Sequence, residues 1–116
     1  MKTTTTKKAR LIGADPRFEK VAADYANDPH VKRGRMFSSE NVLSVNGKIF
    51  AMLNKGRFVL KLPKERVDQL VRQRVGVNWG PGPGRLMKEW VAIESPKPSW
   101  VELAREAYEF VKGLRS

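Results

Sequence analysis

The chain has no cysteine and a single histidine, His30. Without thiols it forms no disulfide and offers no thiolate to zinc, to an iron–sulfur cluster or to a nucleophilic mechanism. One imidazole among scattered carboxylates gives no group of three metal ligands at a recognisable spacing. His30 itself follows Asp28-Pro29 at an expected helix end and reads as a surface residue. No apolar run approaches the roughly 18 to 20 residues needed to cross a bilayer, and no apolar signal segment suggests export. The expectation is a soluble, cytoplasmic protein with no membrane partner. Paired catalytic groups are absent too. Glu89 and Glu94 lie five apart on what reads as a strand, hence on opposite faces, and no nucleophile sits at a useful spacing from a base. A non-enzyme with no cofactor is the resulting reading.

Acidic residues are also scarce: 12 Asp and Glu stand against 23 Lys and Arg, a net charge of +11. The imbalance is uneven. Residues 1–40 hold nine basic and five acidic residues, residues 41–88 ten and two, and residues 89–116 four and five. A field of this sign attracts polyanions such as nucleic acid or an acidic protein.

At 116 residues the chain is expected to form one domain that buries about 65% of its unfolded surface, enough for a hydrophobic core. Residues 1–13, with four consecutive threonines, four basic residues and no periodic apolar spacing, read as a flexible basic tail; residues 14–116 read as the domain. The centre of the domain is the run VLSVNGKIFAMLNKGRFVLKL, residues 42–62. Asn46-Gly47 is a strong hairpin signal, because a two-residue type I′ turn needs positive φ at both central positions. Lys55-Gly56 closes a second turn in the same way, so the run predicts a three-strand meander. Alternation puts Ile49, Ala51 and Leu53 on one face with Phe58, Leu60 and Leu62, and Lys48, Phe50, Met52, Asn54, Arg57, Val59 and Lys61 on the other.

Helices flank the meander. Asp15-Pro16 supplies a cap and a proline at the first helical position. Phe18, Val21, Ala22, Tyr25 and Ala26 then form an apolar stripe that is expected to run until Asp28-Pro29. Lys32, Arg33 and Arg35 follow as a basic cluster. Pro63 opens a second helix with Val67, Leu70 and Val71 inward and a basic outer face. Residues 75–85 are rich in Gly and Pro, with a brief strand expected at residues 77–79. The segment Gly80-Pro81-Gly82-Pro83-Gly84-Arg85 lacks the phosphate-loop pattern, and its prolines remove two amide donors; it reads as a structural turn with Arg85 as an anion contact at its edge. Residues 87–94 alternate as a strand, with Met87, Glu89, Val91 and Ile93 on one side and Lys88, Trp90, Ala92 and Glu94 on the other. Ser99 and Glu102 form a capping box for a last helix whose stripe runs through Trp100, Leu103, Ala104, Ala107, Tyr108, Val111 and Leu114. The fold class is therefore α+β and two-layered: helix, three-strand antiparallel meander, helix, one or two strands, helix, with one sheet face partly uncovered.

Arg35-Met36-Phe37, the segment VNGKIFAML, Lys61-Leu62-Pro63, and Gly84-Arg85 followed by MKEWV resemble, in that order, the N-terminal domain of the TfoX/Sxy family of competence regulators, and more distantly the YjbR/MmcQ proteins. The resemblance covers about residues 15–111. It implies a secretion-chaperone-like helix, three-strand, helix, two-strand, helix fold. It also implies a regulatory, DNA-associated role in the bacterial cytoplasm, in partnership with DNA or a transcription factor. The length leaves no room for the second domain of the longer regulators.

The candidate interface from the residues themselves is the basic sheet face. Lys48, Arg57, Lys61 and Lys88 supply charge, Phe50 and Trp90 supply rings that could stack on bases, and Arg85, Lys32, Arg33 and Arg35 are candidate phosphate contacts. The alternative is that the same face is a protein–protein adaptor or homodimer surface with no nucleic-acid affinity, since exposed apolar patches mark protein contacts.

Overall fold

A computed structural model describes residues 15–36, 39–80, 82, 84 and 87–114. Three helices and six strands follow in chain order: α1 (Pro16–Asp24), β1 (Val31–Met36), β2 (Ser39–Val45), β3 (Lys48–Asn54), β4 (Arg57–Lys61), α2 (Lys64–Arg72), β5 (Gly76–Trp79), β6 (Met87–Ile93) and α3 (Trp100–Lys112). The strands form one antiparallel sheet in the order β1-β2-β3-β4-β6-β5. The fold is α+β, with the expected meander as β2, β3 and β4. Residues 1–13 lie outside the described residues.

Local chemistry accounts for the meander. Asn46 and Gly47 take φ of 52° and 82°, and Lys55 and Gly56 take 51° and 81°. All four are left-handed, as two-residue hairpins matched to the strand twist require. β1 was not expected as a strand. Its sequence VKRGRM has one apolar residue in its first five, which is affordable only at a sheet edge, where exposed Lys and Arg also hinder pairing with a second chain.

Each helix packs an apolar stripe on the same face of the sheet. Phe18 and Val21 of α1, Val67 and Leu70 of α2, and Trp100, Leu103, Ala104, Ala107, Tyr108 and Val111 of α3 share one buried cluster with strand residues Leu43, Val45, Ala51, Leu53, Phe58, Leu60, Leu62, Val91 and Ile93. Trp100 lies between two partners: its ring stacks on Phe58 at 4.4 Å between centroids, and the Arg17 guanidinium covers its other side at 4.1 Å. Asp15 fixes that arginine, because its carboxylate caps α1 through the Arg17 amide at 2.9 Å and accepts from the Arg17 side chain as well. Ser99 caps α3 by accepting from the Glu102 amide at 3.2 Å. Leu114 falls beyond α3 and is exposed rather than part of the stripe.

α1 ends at Asp24, four residues before the expected stop. Asp28 serves the following turn instead: one carboxylate oxygen accepts from the His30 amide at 2.8 Å and the other from the Tyr108 hydroxyl at 2.7 Å. The turn is thereby tied to α3, and the Tyr108 bond holds the Asp28 carboxyl below its ordinary range. Nearby, Tyr25 packs against Tyr108 at 5.0 Å, and burial is the main cause that pushes its phenol up to about 12. A phenol that resists ionisation in the folded state but not in the unfolded one contributes stability that is complete below pH 10 and is lost as pH rises toward 12. Urea midpoints measured across that window should fall more steeply for the native chain than for Tyr25→Phe. Parallel curves would contradict the assignment.

Candidate nucleic-acid interface

The second face of the sheet carries its own buried cluster: Val42, Met52, Val59, Ala92, Trp79 and Trp90, with Ile49 and Met87 against it. No described helix contributes to it. Met52 and Val59 are fully buried, and Trp90 is 8% exposed. The two indoles lie 5.8 Å apart, Trp79 from β5 and Trp90 from β6. Among the described residues only Val77 and Leu114 are large apolar side chains that are exposed. Most of the apolar part of this face is therefore buried; Val77, which pairs with Ala92, and the half-buried Ile49 and Met87 are its apolar side chains that reach solvent.

A β-bulge changes the expected membership of the two faces. Leu43 pairs with Ala51, but the next residue, Ser44, pairs with Ile49, so Phe50 has no partner on β2. The extra residue reverses the alternation on its far side. Ile49 moves to the second face and Phe50 joins the helix-covered core, fully buried with its ring edge-on to Tyr25 at 5.3 Å and to Tyr108 at 5.5 Å. Phe50 is a core residue and cannot stack on a base. Lys48 pairs with Val45, a helix-side residue, and cross-strand partners share a face, so it too leaves the second face.

The other expected cations that lie within the described residues fall into three sets. Arg33 is a structural cation: it makes a two-pronged bond to Glu19 at 2.9 and 2.6 Å, donates to Asn41 at 2.6 Å and covers Phe18 at 5.3 Å. The bond raises its pKa and lowers that of Glu19, so β1 is fastened to α1 by a pair with no charge left over. Arg57 and Lys61 remain on the second face but face carboxylates, Glu94 at 3.2 Å and Glu89 at 3.9 Å. Lys32, Arg35 and Lys88 are exposed and join none of the ion pairs among the described residues. Arg85 lies outside the described residues.

Reading alternation alone misses Lys64, the first residue of α2. Together with Lys61, Met87, Lys88, Glu89 and Trp90 it lines an open cleft of about 390 Å³. Pro63, which precedes it, supplies no side-chain cap to the helix. A basic residue next to Pro at a helix start was the available signal. Lys64 bonds Asp68 one turn on at 2.7 Å, which raises its pKa. Among the described residues no three His, Asp or Glu side chains gather where they could hold a metal ion, and no helix is long and apolar enough to cross a membrane.

No protein-family model matches this chain, and no curated protein and no solved structure matches it.

Proposed function

We propose that this protein is a non-enzymatic regulatory module that contacts nucleic acid through charge, with its cationic sheet face and the adjoining start of α2 as the contact surface. One observation carries the reading: the large apolar residues at the centre of the second face, Val42, Met52, Val59 and Trp79, are buried within the chain, while Lys32, Arg35 and Lys88 stay exposed and outside any described ion pair. A protein-docking face needs apolar side chains at its centre, and Met52 and Val59, both fully buried, are not available for that. A polyanion needs cations at the surface, and the +11 net charge supplies the field. The regulatory role and the bacterial setting rest on the resemblance to the TfoX N-terminal domain.

The test is the salt dependence of oligonucleotide binding. Log affinity should fall linearly with log salt, by about 0.7 per phosphate neutralised on a single strand and about 0.9 on a duplex. With three or four phosphates contacted, affinity should drop roughly tenfold or more between 50 and 200 mM salt. Failure to bind any oligonucleotide at low salt would overturn the proposal.

A further inference from the structure

The cleft between α2 and β6 originates in a slip of register. β5 and β6 pair in step through Asn78 and Val91, but the next pair is Trp79 with Met87. Lys88, Glu89 and Trp90 are thus unmatched by β5, and such irregularities re-aim side chains. On the other side β6 stays in register with β4 through Lys61 and Trp90, and the Leu62 amide donates to the Glu89 carbonyl at 2.9 Å. The unmatched segment is therefore fixed against the end of β4, just where α2 begins, and the gap between them is the cleft.

We propose that this cleft is a nucleotide subsite, taking one phosphate-bearing nucleoside unit of a single strand. The proposal rests on the nucleic-acid reading above and narrows it to a place. Three ammonium groups, from Lys61, Lys64 and Lys88, stand against the single carboxylate of Glu89 in the lining, and Met87 and Trp90 provide an apolar wall. A volume of about 390 Å³ lies within the usual range for small-ligand sites. Trp90 keeps 8% of its surface exposed and is one of the residues lining the cleft. The Lys61 ammonium sits 5.9 Å from the ring centroid, which brings a phosphate-binding charge to the edge of the surface where a base would rest. Its contact with Glu89 is long, 3.9 Å, and the ion pair that holds Lys64 among the described residues is an exposed one with Asp68 within its own helix. Both ammonium groups can turn to a phosphate at little cost. The uncapped start of α2 adds the positive end of a helix dipole to the same wall.

The experiment measures binding of fluorescein-labelled oligo(dT) to the native chain, to Lys88→Glu and to Lys97→Glu. Both variants change the net charge equally, but Lys97 lies beyond the opposite end of β6 from the cleft. Thermal melts check that both fold. Lys88→Glu should weaken binding at least tenfold more than Lys97→Glu, and dTMP, titrated alone, should shift the Trp90 indole N–H resonance at lower concentration than inorganic phosphate does. Equal loss in the two variants, with the native chain still binding oligo(dT), would overturn the subsite and leave the charge-based function standing. Equal potency of phosphate and dTMP would overturn the nucleoside part of the assignment. If oligo(dT) fails to bind the native chain at low salt, the subsite and the function it rests on fail together.

Discussion

Phe50→Ala should destabilise the domain by about 3–5 kcal/mol, the usual cost of emptying a phenylalanine site in a closed core. The ring is fully buried and makes edge-on contacts with Tyr25 and Tyr108, and each such aromatic pair adds roughly 0.5–1.5 kcal/mol beyond the area it covers. Tyr25 comes from just past α1, Tyr108 from α3 and Phe50 from β3, so removing one ring loosens three elements. For a domain whose whole stability is about 5–15 kcal/mol, this is a large share. Urea denaturation with an unchanged slope reads it directly. The same variant separates two views of the residue. If Phe50 stood on a nucleic-acid face, alanine would leave stability almost untouched and weaken oligonucleotide binding. In the core it lowers stability and, at a temperature where the variant remains folded, leaves affinity alone. A loss under about 1 kcal/mol together with a clear loss of affinity would refute the core assignment.

The difference between those views shows where sequence reading stops. The last helix was legible because Ser99 and a stripe from Trp100 to Val111 state cap and period together, and the two hairpins were legible because Asn46-Gly47 and Lys55-Gly56 leave few other backbone choices. Alternation, by contrast, assigns faces only while the pairing stays in step. One unpaired residue at Phe50 reverses the assignment for everything on one side of it, and nothing local to KIFAM announces the bulge. β1 escaped for another reason. An edge strand need not be apolar, and its strand character comes from pairing with β2 rather than from its own side chains. The candidate site suffered most, since the pairs that neutralise Arg33 and Arg57 join residues 14 and 37 positions apart. Charge counting sees the cations, whereas only the fold shows which are already occupied.

Gly76→Ala should cost about 1–3 kcal/mol, as overpacking of a closed site does, although alanine ordinarily improves a strand. Gly76 opens β5 opposite Ile93, and a Cβ placed there would meet the Ala92 carbonyl oxygen at 2.7 Å and a Val91 methyl at 2.8 Å. The methyl can turn aside, but the oxygen belongs to the backbone of β6, which is paired on both sides, to β4 and to β5. Relief therefore requires β5 to move away from β6, its one partner strand among the described residues. Gly34 in β1 is the internal comparison. It too lies in a strand and outside the left-handed region, yet nothing stands within 4 Å of its would-be Cβ. There the smaller conformational freedom of alanine in the unfolded chain is the only effect left, and Gly34→Ala should stabilise by about 0.4–1 kcal/mol. The two variants share one chemical change and are expected to move the urea midpoint in opposite directions. Because the strain at Gly76 acts on the β5–β6 pairing, amide exchange of Val77 and Asn78 should quicken before that of the meander does. A neutral Gly76→Ala variant would mean that β5 can pull back from β6 at no cost, and the fixed wall of the cleft would then have to come from the β4 side alone.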